Sequence, residues 1–165
     1  METDKLNAFI ACAVEQTGAL DVFVEEQRAV STAVRSRDWP VLEKALEAAA
    51  GAATLVSQAE QRRKTAWENL TLSLDLPSDA SVFRVSLSLP LEQRPTLPDA
   101  YRALRLAAMR ARIETEALSG FVGEAASTLR HTMEALYPER KGHIYGRSGR
   151  PNTAATSALI LNTAF

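Results

Sequence analysis

Three stretches of this chain carry apolar or small residues at alternating steps of three and four, and that spacing restricts the fold more than any other feature. It is the pattern of a helix that presents one stripe to neighbouring helices. The first stripe runs Leu6, Phe9, Ala13, Gln16, Leu20, Phe23, Gln27, Val30, Val34, with the two glutamines as its only polar members. The second opens after Arg37, where Asp38 offers a capping carboxylate and Pro40 falls in a first turn whose amides need no intrahelical acceptor. It continues through Leu42, Leu46, Ala49, Ala53, Val56, Glu60, Arg63, Trp67, Leu70 and Leu74. The third begins after Pro95, around Pro98, and runs Leu97, Tyr101, Leu104, Ala108, Ala111, Thr115, Leu118, Val122, Ala125, Leu129, Thr132, Leu136 before Pro138 stops it.

The stripes predict an all-α fold: an elongated antiparallel bundle of three long helices, near residues 3–36, 39–74 and 97–137. At 1.5 Å per residue such helices are about 45–60 Å long, beyond the usual globular length. Leu20, Phe23, Leu46, Val56, Trp67, Leu104, Leu118 and Leu129 are expected to face inward. The short junction from Ser36 to Asp38 leaves room only for a tight helical hairpin. Residues Ala48 to Ala53, with Gly51 among them, are small all round. A neighbouring helix approaches closely there, but little area is buried, so this section is expected to be weakly held.

Between the hairpin and the third helix the local signals conflict. Phe83, Val85, Leu87 and Leu89 alternate with polar residues, as do Leu70, Leu72, Leu74 and Leu76, which is a strand pattern and offers a β-hairpin across Pro77 to Ala80. Against it, Val82, Val85 and Leu89 fit helical spacing and Ser78 or Asp79 is placed to cap. A short extra helix over about residues 80–89 is the reading adopted. Residues 1–137 then form one helical domain, and residues 138–165 a flexible tail with an apolar end at Ala158 to Leu161. Arg140, Lys141, Arg147 and Arg150 against Glu139 make the start of that tail basic.

Composition limits function by exclusion. A formal charge of −1 and a pI near 6.2 supply no whole-molecule field for nucleic acid or an anionic membrane. The first residues have no basic leader followed by an apolar run, and no stretch approaches the roughly 20 apolar residues of a membrane span. A cytoplasmic protein is expected. Cys12 stands alone and reads as a small buried hydrophobe. His131 and His143 have no carboxylate or thiol at metal-ligand spacing, and Glu25 with Glu26, or Glu114 with Glu116, diverge around a helix. With no converging acid, base or nucleophile, the chain reads as a protein-binding protein with no catalytic, metal or cofactor site.

Two sets of residues are candidates for that binding. Phe121 lies beside the third stripe and widens its apolar face, so that Leu118, Phe121, Val122, Ala125 and Leu129 line a groove for an amphipathic helix. The competing reading packs Phe121 against the Phe83 segment. In the tail, Tyr145 between Gly142 and Gly146 offers a large ring on a basic arm, with Arg147 and Arg150 steering it toward an acidic partner. Here the competing reading folds Tyr145 back as a tether.

The segments Glu25-Glu26-Gln27-Arg28, Arg37 to Lys44 and Ala59-Glu60-Gln61-Arg62-Arg63, followed by Leu136-Tyr137-Pro138 and Ile144-Tyr145-Gly146-Arg147-Ser148-Gly149, are similar to the FlgN family of flagellar export chaperones. The likeness covers roughly residues 20–70 and 97–150. It implies a cytoplasmic chaperone of type III flagellar export, which holds the hook–filament junction proteins FlgK and FlgL by their C-terminal helices. It further implies that the last helix receives the cargo, and that Tyr145, with Gly146, Arg147 and Gly149, docks at the export gate protein FlhA. Such a chaperone is expected to be a monomer or a weak homodimer. Two readings from other classes stand beside it: an oligomeric helical scaffold or adaptor that self-associates through the same stripes, and a nucleic-acid-binding protein using Arg102, Arg105, Arg110 and Arg112.

Overall fold

A computed structural model describes residues 2–137. Four helices account for most of them: α1 over Glu2–Ser36, α2 over Trp39–Ser73, α3 over Val82–Ser88 and α4 over Thr96–Leu136. The described residues contain no strand. The leucine alternation at 70–76 therefore belongs to the end of α2 and the turn beyond it, and the helical reading of the Phe83 segment holds. The chain divides into two compact units, Met1–Ser119 and Gly120–Phe165. None of the helices is long and apolar enough to cross a membrane.

Within the first unit the helix ends reflect local chemistry. Arg37 adopts a left-handed φ of 57°, and its N–H reaches Val34 O at 3.2 Å while Asp38 N–H reaches Ala33 O at 3.2 Å. These two bonds satisfy the last carbonyls of α1 in a Schellman motif, with Arg37 where glycine is usual. Asp38 then caps α2, its carboxylate accepting from Val41 N–H at 3.2 Å, and Pro40 sits in the first turn as expected. A second motif of the same kind closes α2: Asp75 has φ 52°, and Asp75 N–H and Leu76 N–H bond to Leu72 O and Thr71 O. The cap of α3 is Ser81, which accepts from Arg84 N–H, and neither Ser78 nor Asp79 fills that role.

The α1 stripe is buried or half-buried at every expected member, from Leu6 to Val34. On α2 the expected stripe is buried or half-buried except at Leu46 and Ala53. Ala45, Ala52 and Ala59 are buried, whereas Leu46 is 52% exposed and Ala53 is exposed, so the expectation that Leu46 faces inward is wrong. The backbones of α1 and α2 run close together over a greater length than those of any other helix pair among the described residues. Bonds from Arg62 to Glu15 and from Arg63 to Gln16 set their antiparallel register. Ala45, Ala52, Ala59 and Ala66 stand seven residues apart in one row of α2, and all are buried or half-buried. A row of methyl groups lets the two backbones close in, and a leucine in that row would hold them apart. Leu46, one residue further round, is left at the edge.

Larger side chains concentrate at the other end of the hairpin. Leu6 and Phe9 of α1, Leu70 of α2, Val85 of α3, Leu89 just beyond it and Leu97 of α4 are almost wholly buried in one cluster. At about 1.5–3 kcal/mol for each such side chain, this cluster holds the four helices together. The half-buried Trp67 stacks on it, its ring 5.1 Å from that of Phe9 at an interplanar angle of 56°. Phe83, by contrast, is 73% exposed.

Candidate functional site

The residues of α4 divide according to what covers them. In the first unit Leu97, Leu104, Ala107 and Ala111 are buried. Polar contacts fix α1 beside them: Arg110 with Asp21 at 3.3 Å, Gln27 Nε2 donating to Thr115 Oγ1 at 2.8 Å, and Arg28 donating to Glu114 at 2.7 Å. Glu114 first, then Glu25, hold the Arg28 guanidinium above its usual pKa. Glu25 and Glu114 therefore act as ion-pair partners on a solvated face. Arg102 and Arg112 are likewise paired, with Asp99 at 3.1 Å and Glu116 at 2.7 Å.

Of the five residues expected to line a cargo groove, Leu118 and Phe121 are half-buried, and Val122, Ala125 and Leu129 are exposed. Leu129 does not face inward as expected: it is 63% exposed. In the second unit the exposed apolar set is larger than the stripe alone implies, with Met133 and Tyr137 joining the stripe members Val122, Leu129 and Leu136. At 100° per residue, Val122, Leu129, Met133 and Leu136 fall on one side of α4, Glu124, His131 and Glu134 on the other, and Arg130 at the border between them. The arc these four residues occupy carries no charged residue, and Arg130 flanks it. Tyr145, Gly146, Arg147 and Gly149, expected to dock at an export gate, lie outside the described residues.

A second candidate emerges only in three dimensions. Trp67, Phe9, Val82, Ala80 and Tyr101 line a surface pocket of about 420 Å³, together with Ser78, Asp79 and Ser81. Trp67 is held in place by its own Nε1–H, which donates to Ser78 O at 3.1 Å. Tyr101, placed by its spacing on the buried stripe, is 41% exposed. The Asp79 carboxylate makes no ion pair or hydrogen bond among the described residues. Sequence patterns put Trp67 and Tyr101 in the core and Asp79 at a cap, because periodicity assigns a residue to a face and not to a cleft between faces.

The described residues bring no three of His, Cys, Asp and Glu together in a way a metal ion could use. His131 stands exposed on α4, Cys12 is half-buried on α1, and His143 is outside the described residues. Comparison of the chain with protein-family models, with curated proteins and with solved structures finds no match.

Proposed function

We propose that this protein is a cytoplasmic export chaperone of the FlgN kind, which accepts a helix of a flagellar hook–filament junction protein on α4 and hands it to the export gate. One observation carries the reading: the exposed, uncharged apolar arc of α4 in the second unit, where Leu129 is 63% and Leu136 is 68% exposed. Scattered single apolar residues on a surface mean little, but a continuous row on one helix side marks a protein-binding surface. An amphipathic helix laid along it meets anchors at Val122, Leu129, Met133 and Leu136. Tyr145, with Gly146, Arg147 and Gly149, is the proposed contact with the gate protein.

The reading takes the three long helices as one elongated antiparallel bundle. The Arg62–Glu15 and Arg63–Gln16 bonds between α1 and α2, and the Gln27–Thr115 and Arg28–Glu114 bonds between α1 and α4, support that arrangement. The deciding experiment is co-purification with FlgK- and FlgL-type junction proteins from the source cell, with a Val122→Asp, Leu129→Asp double variant beside the unaltered chain. Retention by the unaltered chain and its loss in a variant of unchanged helicity support the proposal. No retention by either counts against it.

The same uncharged arc fits a second copy of this chain, which is the scaffold reading. Light scattering separates the two. A chaperone remains a monomer or weak dimer and takes up cargo one to one, whereas a scaffold assembles alone and the double variant disperses it.

A further inference from the structure

The pocket beside Trp67 combines two features that the packing of the first unit does not require. Three of its eight lining residues are aromatic, and the Asp79 carboxylate is unused. Phe9, only 1% exposed, backs Trp67, and the bond from Trp67 Nε1 to Ser78 O holds the indole in one orientation. Tyr101 forms another part of the lining with 41% of its surface still open. Asp79, two residues before the Ser81 cap, adds a negative charge that no described lysine or arginine neutralises.

We propose that this pocket binds a guanidinium, namely the arginine side chain of a partner polypeptide. The proposal is separate from cargo binding on α4, since the residues involved lie within the first unit. Aromatic faces attract a cation through the ring quadrupole, most strongly for tryptophan. A carboxylate completes the site by accepting paired N–H bonds. Arginine fits better than lysine for two reasons: its planar head stacks on an indole or phenol ring, and it is more weakly hydrated than an ammonium and so loses less on entering an apolar cleft. The volume, about 420 Å³, is within the range of sites that take a small molecule or one anchoring side chain. An anionic ligand is disfavoured by Asp79, and a purely apolar one leaves that charge unused.

The test monitors the indole N–H resonance of Trp67 in the full-length chain during titration with N-acetyl-arginine-amide at constant ionic strength. The same titration is made with N-acetyl-citrulline-amide, a neutral near-isostere, and with N-acetyl-lysine-amide. The expected result is saturable movement with arginine, binding weaker by about tenfold in Asp79→Asn, as loss of a charge-assisted bond predicts, and none with citrulline. Tyr101→Ala is expected to weaken it as well. Both positions are exposed, so circular dichroism unchanged from the parent chain is expected for each variant. Absence of saturable movement, equal binding of citrulline, equal binding of lysine, or an unchanged affinity in Asp79→Asn would each overturn the assignment. The outcome is independent of whether any flagellar protein is retained by α4.

Discussion

Gln27 of α1 donates its amide N–H to the hydroxyl of Thr115 on α4 at 2.8 Å, while its own Oε1 lies buried without a partner. Thr115 in turn donates to Ala111 O, so the pair is a short chain that ends in an unsatisfied oxygen. A half-satisfied buried amide costs stability but fixes the register of two helices, since sliding either one breaks the only bond it has. Gln27→Leu is expected to stabilise the protein by about 1 kcal/mol, and Thr115→Val to destabilise it by about 1–2 kcal/mol by leaving the whole amide unpaired. Urea unfolding of the two variants checks the opposite signs. A Gln27→Leu variant less stable than the parent chain would show that Oε1 has a partner in solution.

The alanine row of α2 gives a prediction contrary to what hydrophobicity alone suggests. Ala52→Leu and Ala59→Leu add apolar surface, yet both are expected to lower stability by about 1–3 kcal/mol, because both alanines are almost wholly buried on the helix packed along α1 and added atoms overpack the site. Leu46→Ala, on the exposed edge of the same helix, is expected to change stability by less than about 0.5 kcal/mol. Thermal unfolding measured by circular dichroism distinguishes this face from the one drawn through Leu46.

Arg37 and Asp75 occupy left-handed positions that glycine adopts without steric cost. Arg37→Gly and Asp75→Gly are each expected to raise stability by about 0.5–1 kcal/mol, the gain from relieved strain exceeding the added freedom of the unfolded chain. Arg37→Val, which adds a β-branched side chain at the same φ, is expected to have the opposite effect. The comparison is made by the shift in denaturant midpoint at unchanged slope.

The pH dependence of one surface pair has a definite sign. Lys64, bonded to Glu60 at 2.8 Å, holds the Glu60 carboxyl below its usual value of 4.5. The folded form is then the more acidic one, so the pair contributes stability above pH 4.5 and loses it as pH falls through the folded value. The side chains are largely exposed, and the contribution is a few tenths of a kcal/mol, about what helical pairs at this spacing give. Glu60→Gln is expected to be less stable than the parent chain by that amount at pH 7 and to match it near pH 3. A difference that persists at low pH would assign it to packing rather than charge.

The sequence by itself determined where the three long helices are. Asp38 and Pro40 mark the start of α2, Pro95 and Pro98 the start of α4, and every member of the first stripe is buried or half-buried on α1, although Val24 and Ala33 beside it are buried too. Capping and periodicity act within a few residues, so they are readable along the chain. Tertiary structure decided that α2 buries Ala45 and Ala52 rather than Leu46 and Ala53. Its leucine row and its alanine row lie one residue apart, and the choice between them rests on how closely another backbone approaches, which no local property records. At the Phe83 segment the local signals conflict for the same reason: Val85 and Leu89 suit a strand or a helix, and their burial in one cluster with Leu6, Leu70 and Leu97 bears out the short helix adopted there. The cleft that gathers Trp67, Tyr101 and Asp79 arises from three separate segments of chain, and only packing brings an unpaired carboxylate beside two rings.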